Sequence, residues 1–205
     1  MLRLSDWPEI KEVPFSGDLE TDAVALLAAN GKTVTAAHTP AVARKSEALA
    51  RRFGLDQARA SRAALLHDVS GVFKPREMLD YALLRGWSLD EAERRHPVLL
   101  HQRISADFAK DLFGVNDAII LSAIACHTTL RVNPSDYDML LFLADKLAWD
   151  RAGVPPFEAA VTKALDRSLA RASLVYIDYA LNNGMLLFPH GQLNQAKAWL
   201  ETACS

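Results

Sequence analysis

Several things are scarce in this sequence, and each scarcity removes a class of protein. Among 205 residues there are two cysteines, Cys126 and Cys204. They make neither a CxxC pair nor the dense framework of a small secreted domain, which excludes a thiolate zinc finger and a disulfide scaffold. A cytoplasmic location is the expectation. No run of about 18 apolar residues occurs, so no transmembrane helix and no membrane partner are expected. The N-terminal stretch MLRLSDWPEIKEVPF lacks the apolar centre of a signal peptide. Positive charge is not in surplus: 23 Lys and Arg face 25 Asp and Glu, a net charge of −2. With no basic excess or stripe, a nucleic-acid partner is not expected. Anions must be held by a few local cations instead. Alternating strand patterns bounded by hairpin signals are nearly absent as well.

What remains is helical. Half of the residues are hydrophobic, enough for a substantial core. Residues 1–17 read as an irregular arm, with Trp7, Pro8, Pro14 and Gly17. From Asp18 an apolar stripe of Leu19, Val24, Leu26 and Leu27 runs to Gly31. The next helix ends at Gly54. It starts either after a Thr39 cap or near Thr33 with a disturbance at Pro40. Asp56 is placed to cap a helix reaching His67. Helices follow over Pro75–Arg85, over a short segment capped by Ser88 with Glu91, over Pro97–Phe113, and over Asn116–His127. A loop over 128–135 precedes a helix over Asp136–Trp149. Pro155-Pro156 then leads into about three C-terminal helices. The expected fold is all-α, with a main domain over 18–185 and a C-terminal helical extension over 186–205. Tyr176, Tyr179, Leu186, Leu187, Phe188 and Trp199 in the C-terminal section suit a core, a lid or a dimer surface. A homodimer is compatible with this, but the oligomeric state does not follow from sequence.

Four segments share an odd feature: AALLHD (63–68), VLLH (98–101), AIACH (123–127) and FLAD (142–145). Each is an apolar run ending in His or Asp. The run buries itself and carries its terminal side chain toward the interior. A buried charge without a partner costs several kcal/mol. Four such endings are tolerable if the groups satisfy one another or share a cation. Imidazole nitrogens and carboxylate oxygens are good ligands for divalent transition metals. His67 and Asp68 lie about 100° apart around a helix and cannot share a face. At a helix end both can still reach one ion, or the carboxylate can bridge two. Taken singly, each residue has a plainer reading. A lone His on an apolar face is usually a hydrogen-bonded core residue, and Asp145 could pair with Lys146. His96 and His190 read as surface or capping residues. It is the order His38, His67-Asp68, His101, His127, Asp145 that favours a metal.

That order resembles the HD superfamily of metal phosphohydrolases. More closely, ALLHDV, HPVLLHQ, AIACHTTLR and LADKLAWDR resemble the bacterial HD-domain symmetrical diadenosine-tetraphosphate hydrolases, over about residues 19–185. The resemblance implies hydrolysis of diadenosine tetraphosphate to two ADP at a di-iron centre. It implies that His38, His67, Asp68 and Asp145 hold one ion. His101 and His127 would hold the second, with Asp68 bridging as the catalytic carboxylate. Thr128, Arg131 and Arg151 match positions near the phosphates, and Lys146 occupies a variable one. The chain also departs from the family. Gly71 stands where HDxxK has its lysine, and Lys74 is the nearest replacement. Leu130 stands where the family favours glycine, Ala148 where it usually has glutamate, and Pro40 is unusual.

The implied mechanism is attack by hydroxide held between two divalent cations, in line on a phosphorus. Arg131, a bidentate donor, would steady the leaving phosphate. Iron, manganese and zinc all suit His and Asp ligands; the resemblance points to iron. Two other functions stay open. One is the same chemistry on another nucleotide, toward which Gly71 and Ala148 point. The other is a non-catalytic nucleotide-binding module that keeps its metal.

Overall fold

The computed structural model describes residues 4–186 and 188–204. Among them are eleven α-helices and no strand. They are α1 (Leu19–Ala29), α2 (Thr33–Phe53), α3 (Gln57–Leu66), α4 (Pro75–Leu84), α5 (Glu91–Arg95), α6 (His101–Asp111), α7 (Ala118–Cys126), α8 (Asp136–Leu147), α9 (Glu158–Ala164), α10 (Leu169–Asn182) and α11 (Gly191–Ala203). Short 3-10 turns cover Leu4–Asp6, Val69–Val72 and Pro97–Leu100. The fold is all-α, as expected. None of these helices is long and apolar enough to cross a membrane.

Caps written in the sequence set many of the boundaries. Asp18 accepts from Thr21 N and Asp56 from Arg59 N, satisfying amide donors that the first turns of α1 and α3 leave free. Ser135 and Asp138 form a reciprocal capping box at α8. At α5 the expected Ser88–Glu91 box is replaced by Asp90 and Glu93. Glu93 is buried beside Arg103 and His190, while Glu91 pairs with Arg95 in solvent. Tertiary partners therefore choose the capping glutamate. The expected helix over Pro97–Phe113 is also divided: its first turn is 3-10, and α6 begins on His101.

α2 packs against α1, α3 and α8, and α7 lies between α6 and α8. Leu26, Leu27, Leu66, Phe73, Leu100, Ile104, Phe108, Ile124 and Phe142 fill the interior. The N-terminal arm joins this core. Leu4 and Ile10 are buried, and the Trp7 ring lies 4.7 Å from Phe73. The C-terminal helices join it too. Tyr176 meets Phe142 and Phe157, and α11 buries Leu193, Ala196 and Leu200. α11 is pinned where Gly191 N donates to Asp90 Oδ2 at 3.1 Å. A Cβ at residue 191 would stand 2.7 Å from that oxygen, so any larger residue there would displace the Asp90 carboxylate. Leu187 lies outside the described residues.

α2 runs through Pro40 without a break, the second of the two starts considered for it. Proline has no N–H for the Ala36 carbonyl, and its ring crowds that oxygen. The Thr39 hydroxyl back-bonds to Thr35 O at 2.9 Å. Pro40→Ala is expected to stabilise the protein by about 1–3 kcal/mol. Chemical denaturation checks this as a higher midpoint at unchanged m-value. An unchanged midpoint would show that α2 has adapted to the proline at no cost.

Candidate metal centre

Five helices deliver ionisable side chains to one place. α2 carries His38 in its second turn. α3 is closed by His67, and Asp68 opens the turn Val69–Val72. α6 starts on His101, α7 is closed by His127, and Asp145 lies in the last turn of α8. For every group but His38, which follows exposed Ala37, buried apolar residues just before it explain the placement. Leu66, Leu100, Ile124 and Ala144 are fully buried, so the residues following them reach the centre of the bundle.

The six groups interlock. His38 Nε2 is 3.0 Å from Asp145 Oδ1, and His67 Nε2 is 3.5 Å from the same oxygen. His67 Nε2 is also 3.4 Å from Asp68 Oδ2. The other oxygen of that carboxylate, Oδ1, is 3.2 Å from His101 Nε2 and 3.4 Å from His127 Nε2. Asp68 thus stands between two halves. Donor atoms of His38, His67 and Asp145 lie within 4.8 Å of one another, as do those of His67, Asp68 and His127.

The hydrogen bonds on the far side of the rings test whether this set suits a cation. Nδ1 of His67, His101 and His127 faces the carbonyl three residues earlier, at 2.7, 2.6 and 2.8 Å respectively. A carbonyl only accepts, so each Nδ1 carries the proton and each neutral ring turns a bare Nε2 lone pair inward. His101 Nε2 and His127 Nε2 then face each other at 2.9 Å. His67 Nε2 and Asp68 Oδ1 are shut from solvent with no hydrogen-bond partner. Lone pairs converging on lone pairs and carboxylates need positive charge between them. The residues fit divalent cations.

A proton on His67 is the alternative to a shared cation, and the two carboxylates favour it. Burial opposes charge on His67, but Asp68 and Asp145 outweigh it and raise its pKa to about 9. Burial pushes His127 down to about 4, despite the Asp68 contact. Burial also opposes charge on the two carboxylates, yet both are held well below the ordinary range. The charge of His67 and hydrogen bonds to His101 and His127 hold Asp68 down, and the Lys146 ammonium with hydrogen bonds to His38 and His67 does the same for Asp145. Both carboxylates are therefore held in the ionised form.

A cleft of about 310 Å³ opens over these groups, lined among others by Thr35, His38, Asp68 and Asp145. Two residues anticipated as phosphate contacts line it as well. Lys146 bonds Asp145 Oδ2 at 2.7 Å and His127 O at 2.9 Å, and the Arg151 guanidinium lies over the Trp149 ring at 5.2 Å. Thr128 is adjacent, its hydroxyl 3.2 Å from His101 Nε2. The other two point elsewhere. Arg131 is engaged with buried Asp138, Nε at 2.9 Å and Nη2 at 2.8 Å. The Lys74 ammonium lies 3.3 Å from Glu9 on the surface, so it does not replace the lysine missing at Gly71. The Trp149 and Tyr176 walls of the cleft were not anticipated as site residues. Nor was Gln102, whose buried Oε1 accepts from the backbone N–H of Thr128 and Thr129. Its position beside His101 was the only hint. Leu130, on the same turn, has φ 58, a left-handed conformation costing a non-glycine residue roughly 1 kcal/mol. Full burial of its side chain and a 2.7 Å bond to Cys126 O hold it there.

The HD domain family matches residues 35–150, more than half of the chain. The chain belongs to the HD domain family. It is a metal-dependent phosphohydrolase of this kind. Over 143 residues it is 40% identical to the "Uncharacterized protein in pepC 5'region" of Lactococcus lactis subsp. cremoris, covering 70% of this chain and 73% of that one. The symmetrical bis(5'-nucleosyl)-tetraphosphatase of Bacillus subtilis (strain 168) is 27% identical over 154 residues, 74% of this chain and 82% of its own. A crystal structure described as that of a "predicted HD superfamily hydrolase involved in NAD metabolism", from Clostridium acetobutylicum, superposes with a TM-score of 0.81. It shares 25% identity and covers 93% of this chain and 100% of that one.

Proposed function

We propose that this HD-domain hydrolase cleaves diadenosine tetraphosphate symmetrically into two ADP, with two divalent cations, iron foremost, held at the six-residue cluster. The position of Asp68 carries the reading. One oxygen faces His67 and the other faces His101 and His127, which suits a carboxylate shared between two ions. His38, His67 and Asp145 would complete one ion's ligands, His101 and His127 the other's. Such ions lower the pKa of water and polarise phosphoryl oxygens. The chain's own residues do the rest. Lys146 and Arg151 present positive charge to the phosphates at the cleft wall. The Thr128 hydroxyl beside His101 offers a hydrogen bond, and Gln102 fixes the turn that carries it. The Bacillus subtilis relative bears the name of this activity.

A second reading keeps the chemistry and changes the nucleotide. Gly71 leaves the Thr35 side of the cleft without a side-chain cation, and Arg131 and Lys74 are engaged elsewhere. Fewer cations favour a shorter phosphate chain. Product analysis separates the two. Metal-loaded protein with diadenosine tetraphosphate is expected to give two ADP and about two equivalents of metal by emission spectroscopy. AMP plus ATP, or turnover only of mononucleotides, would reject the first reading.

A further inference from the structure

The cleft does not end at the metal cluster. Across His38, Trp149 and Asp150 it continues into a second hollow of about 410 Å³. This hollow is floored by Ala37 and Ala41 of α2 and walled by Val34, Ala148 and Trp149. Ala37 and Ala41 stand one turn apart on α2, and Ala41 follows His38 by three residues on the same helix. Two small side chains there leave the helix surface low beside the catalytic end.

The chemistry of the hollow is unlike that of the cleft. Its lining includes no lysine or arginine, and Asp150 sits at its rim. Lysine and arginine lie beyond its ends, Lys146 and Arg151 in the cleft and Arg44 and Lys45 past Ala41 and Ala148. Such a lining suits an uncharged, largely apolar group, and N–H groups on it would meet Asp150. Trp149 suits such a group. Its indole is braced edge-on against Phe157 at 5.8 Å and by the Arg151 guanidinium, so it is a fixed wall rather than a loose side chain. Its Nε1–H, shut from solvent, has no hydrogen-bond partner. Bases stack on such faces with little dependence on sequence.

We propose that the hollow between Ala37, Ala41, Ala148 and Trp149 is the nucleobase subsite for a nucleotide whose phosphates lie on the metal cluster. The proposal rests on the phosphohydrolase reading and adds the recognition of an amino-bearing base. It separates two tasks along one groove, with anhydride chemistry at the cluster and base recognition beside α2.

The test uses metal-loaded full-length protein and calorimetric titration with two probes. One is ADP, the other methylenediphosphonate, a diphosphate with no base and no cleavable bridge. Ala41→Leu fills the hollow from half-buried α2, with circular dichroism confirming the fold, and Trp149→Ala removes the wall. Both are expected to weaken ADP about tenfold; methylenediphosphonate stays within twofold for Ala41→Leu, whereas Trp149→Ala, which also removes the support of Arg151, weakens it less than ADP. Loss of ADP affinity below threefold, or equal losses for both probes, overturns the subsite. So does a change of oligomeric state on size-exclusion chromatography without a change in ADP binding, because a second copy would then be the occupant. If Trp149→Ala fails to fold, Ala41→Leu decides alone. The two proposals fail separately. Wild-type protein that binds ADP through the hollow but leaves diadenosine tetraphosphate intact rejects the function and keeps the subsite. Turnover with an indifferent Ala41→Leu does the reverse.

Discussion

Asp68→Ala is expected to remove bound metal and phosphohydrolase activity together. Asp68 is the one carboxylate with an oxygen toward each half of the cluster. Without it, Nε2 of His67, His101 and His127 still converge, and only Asp145 remains to offset positive charge. Metal content should fall from about two equivalents to one or none. kcat/KM should fall by about a thousandfold or more, roughly 4 kcal/mol of transition-state stabilisation. Asp68→Asn keeps the shape while removing the charge, and it should lose nearly as much. Emission spectroscopy and initial rates on the same samples make the comparison, with circular dichroism confirming that the helices persist. A variant fully active without metal would reject the metal mechanism.

Arg131→Ala is expected to be a stability mutant, with substrate affinity unmoved. Resemblance to phosphate-contact positions assigned this arginine to substrate. The structure ties its Nε and Nη2 to Asp138, which is wholly buried. Asp138 also accepts from Ser122 Oγ and caps α8 through Ser135 N. Losing the guanidinium strands a buried carboxylate. Breaking such a pair costs about 3–5 kcal/mol when both partners are buried. Arg131 is half exposed and two other donors remain, so roughly 2–3 kcal/mol is expected. Denaturant midpoint and KM measured together settle the role. A raised KM at unchanged stability would return Arg131 to the phosphates.

These two residues mark the border of what could be read in advance. Asp68 was legible because ALLHD is an apolar run with a charge at its end. Leu66 is buried at the end of α3, and the change from helix to turn lets both His67 and Asp68 reach the cluster. The same logic carried His101, His127 and Asp145. Arg131 was not legible, because its partner lies seven residues on, beyond a loop in which Leu130 and Asn133 both have positive φ. No periodicity describes such a path. The pairing of Lys74 was hidden for a similar reason: Glu9 comes from an arm that gave no helical signal yet packs onto Phe73. The Glu93 cap of α5 depended on His190, almost a hundred residues away.

The sequence by itself determined the all-helical class, most helix ends and the group of six ionisable side chains. Those properties follow from hydrophobic burial and caps, which act within a few residues. Only the tertiary structure decided that each inner histidine presents a bare Nε2, that Asp68 lies between two halves, and that Lys146 and Arg151 rather than Arg131 and Lys74 line the cleft. It also decided that Trp149 and the alanines of α2 enclose a hollow beside the cluster. Ion pairs and cavities depend on distances between separate elements, and those are set when the core packs.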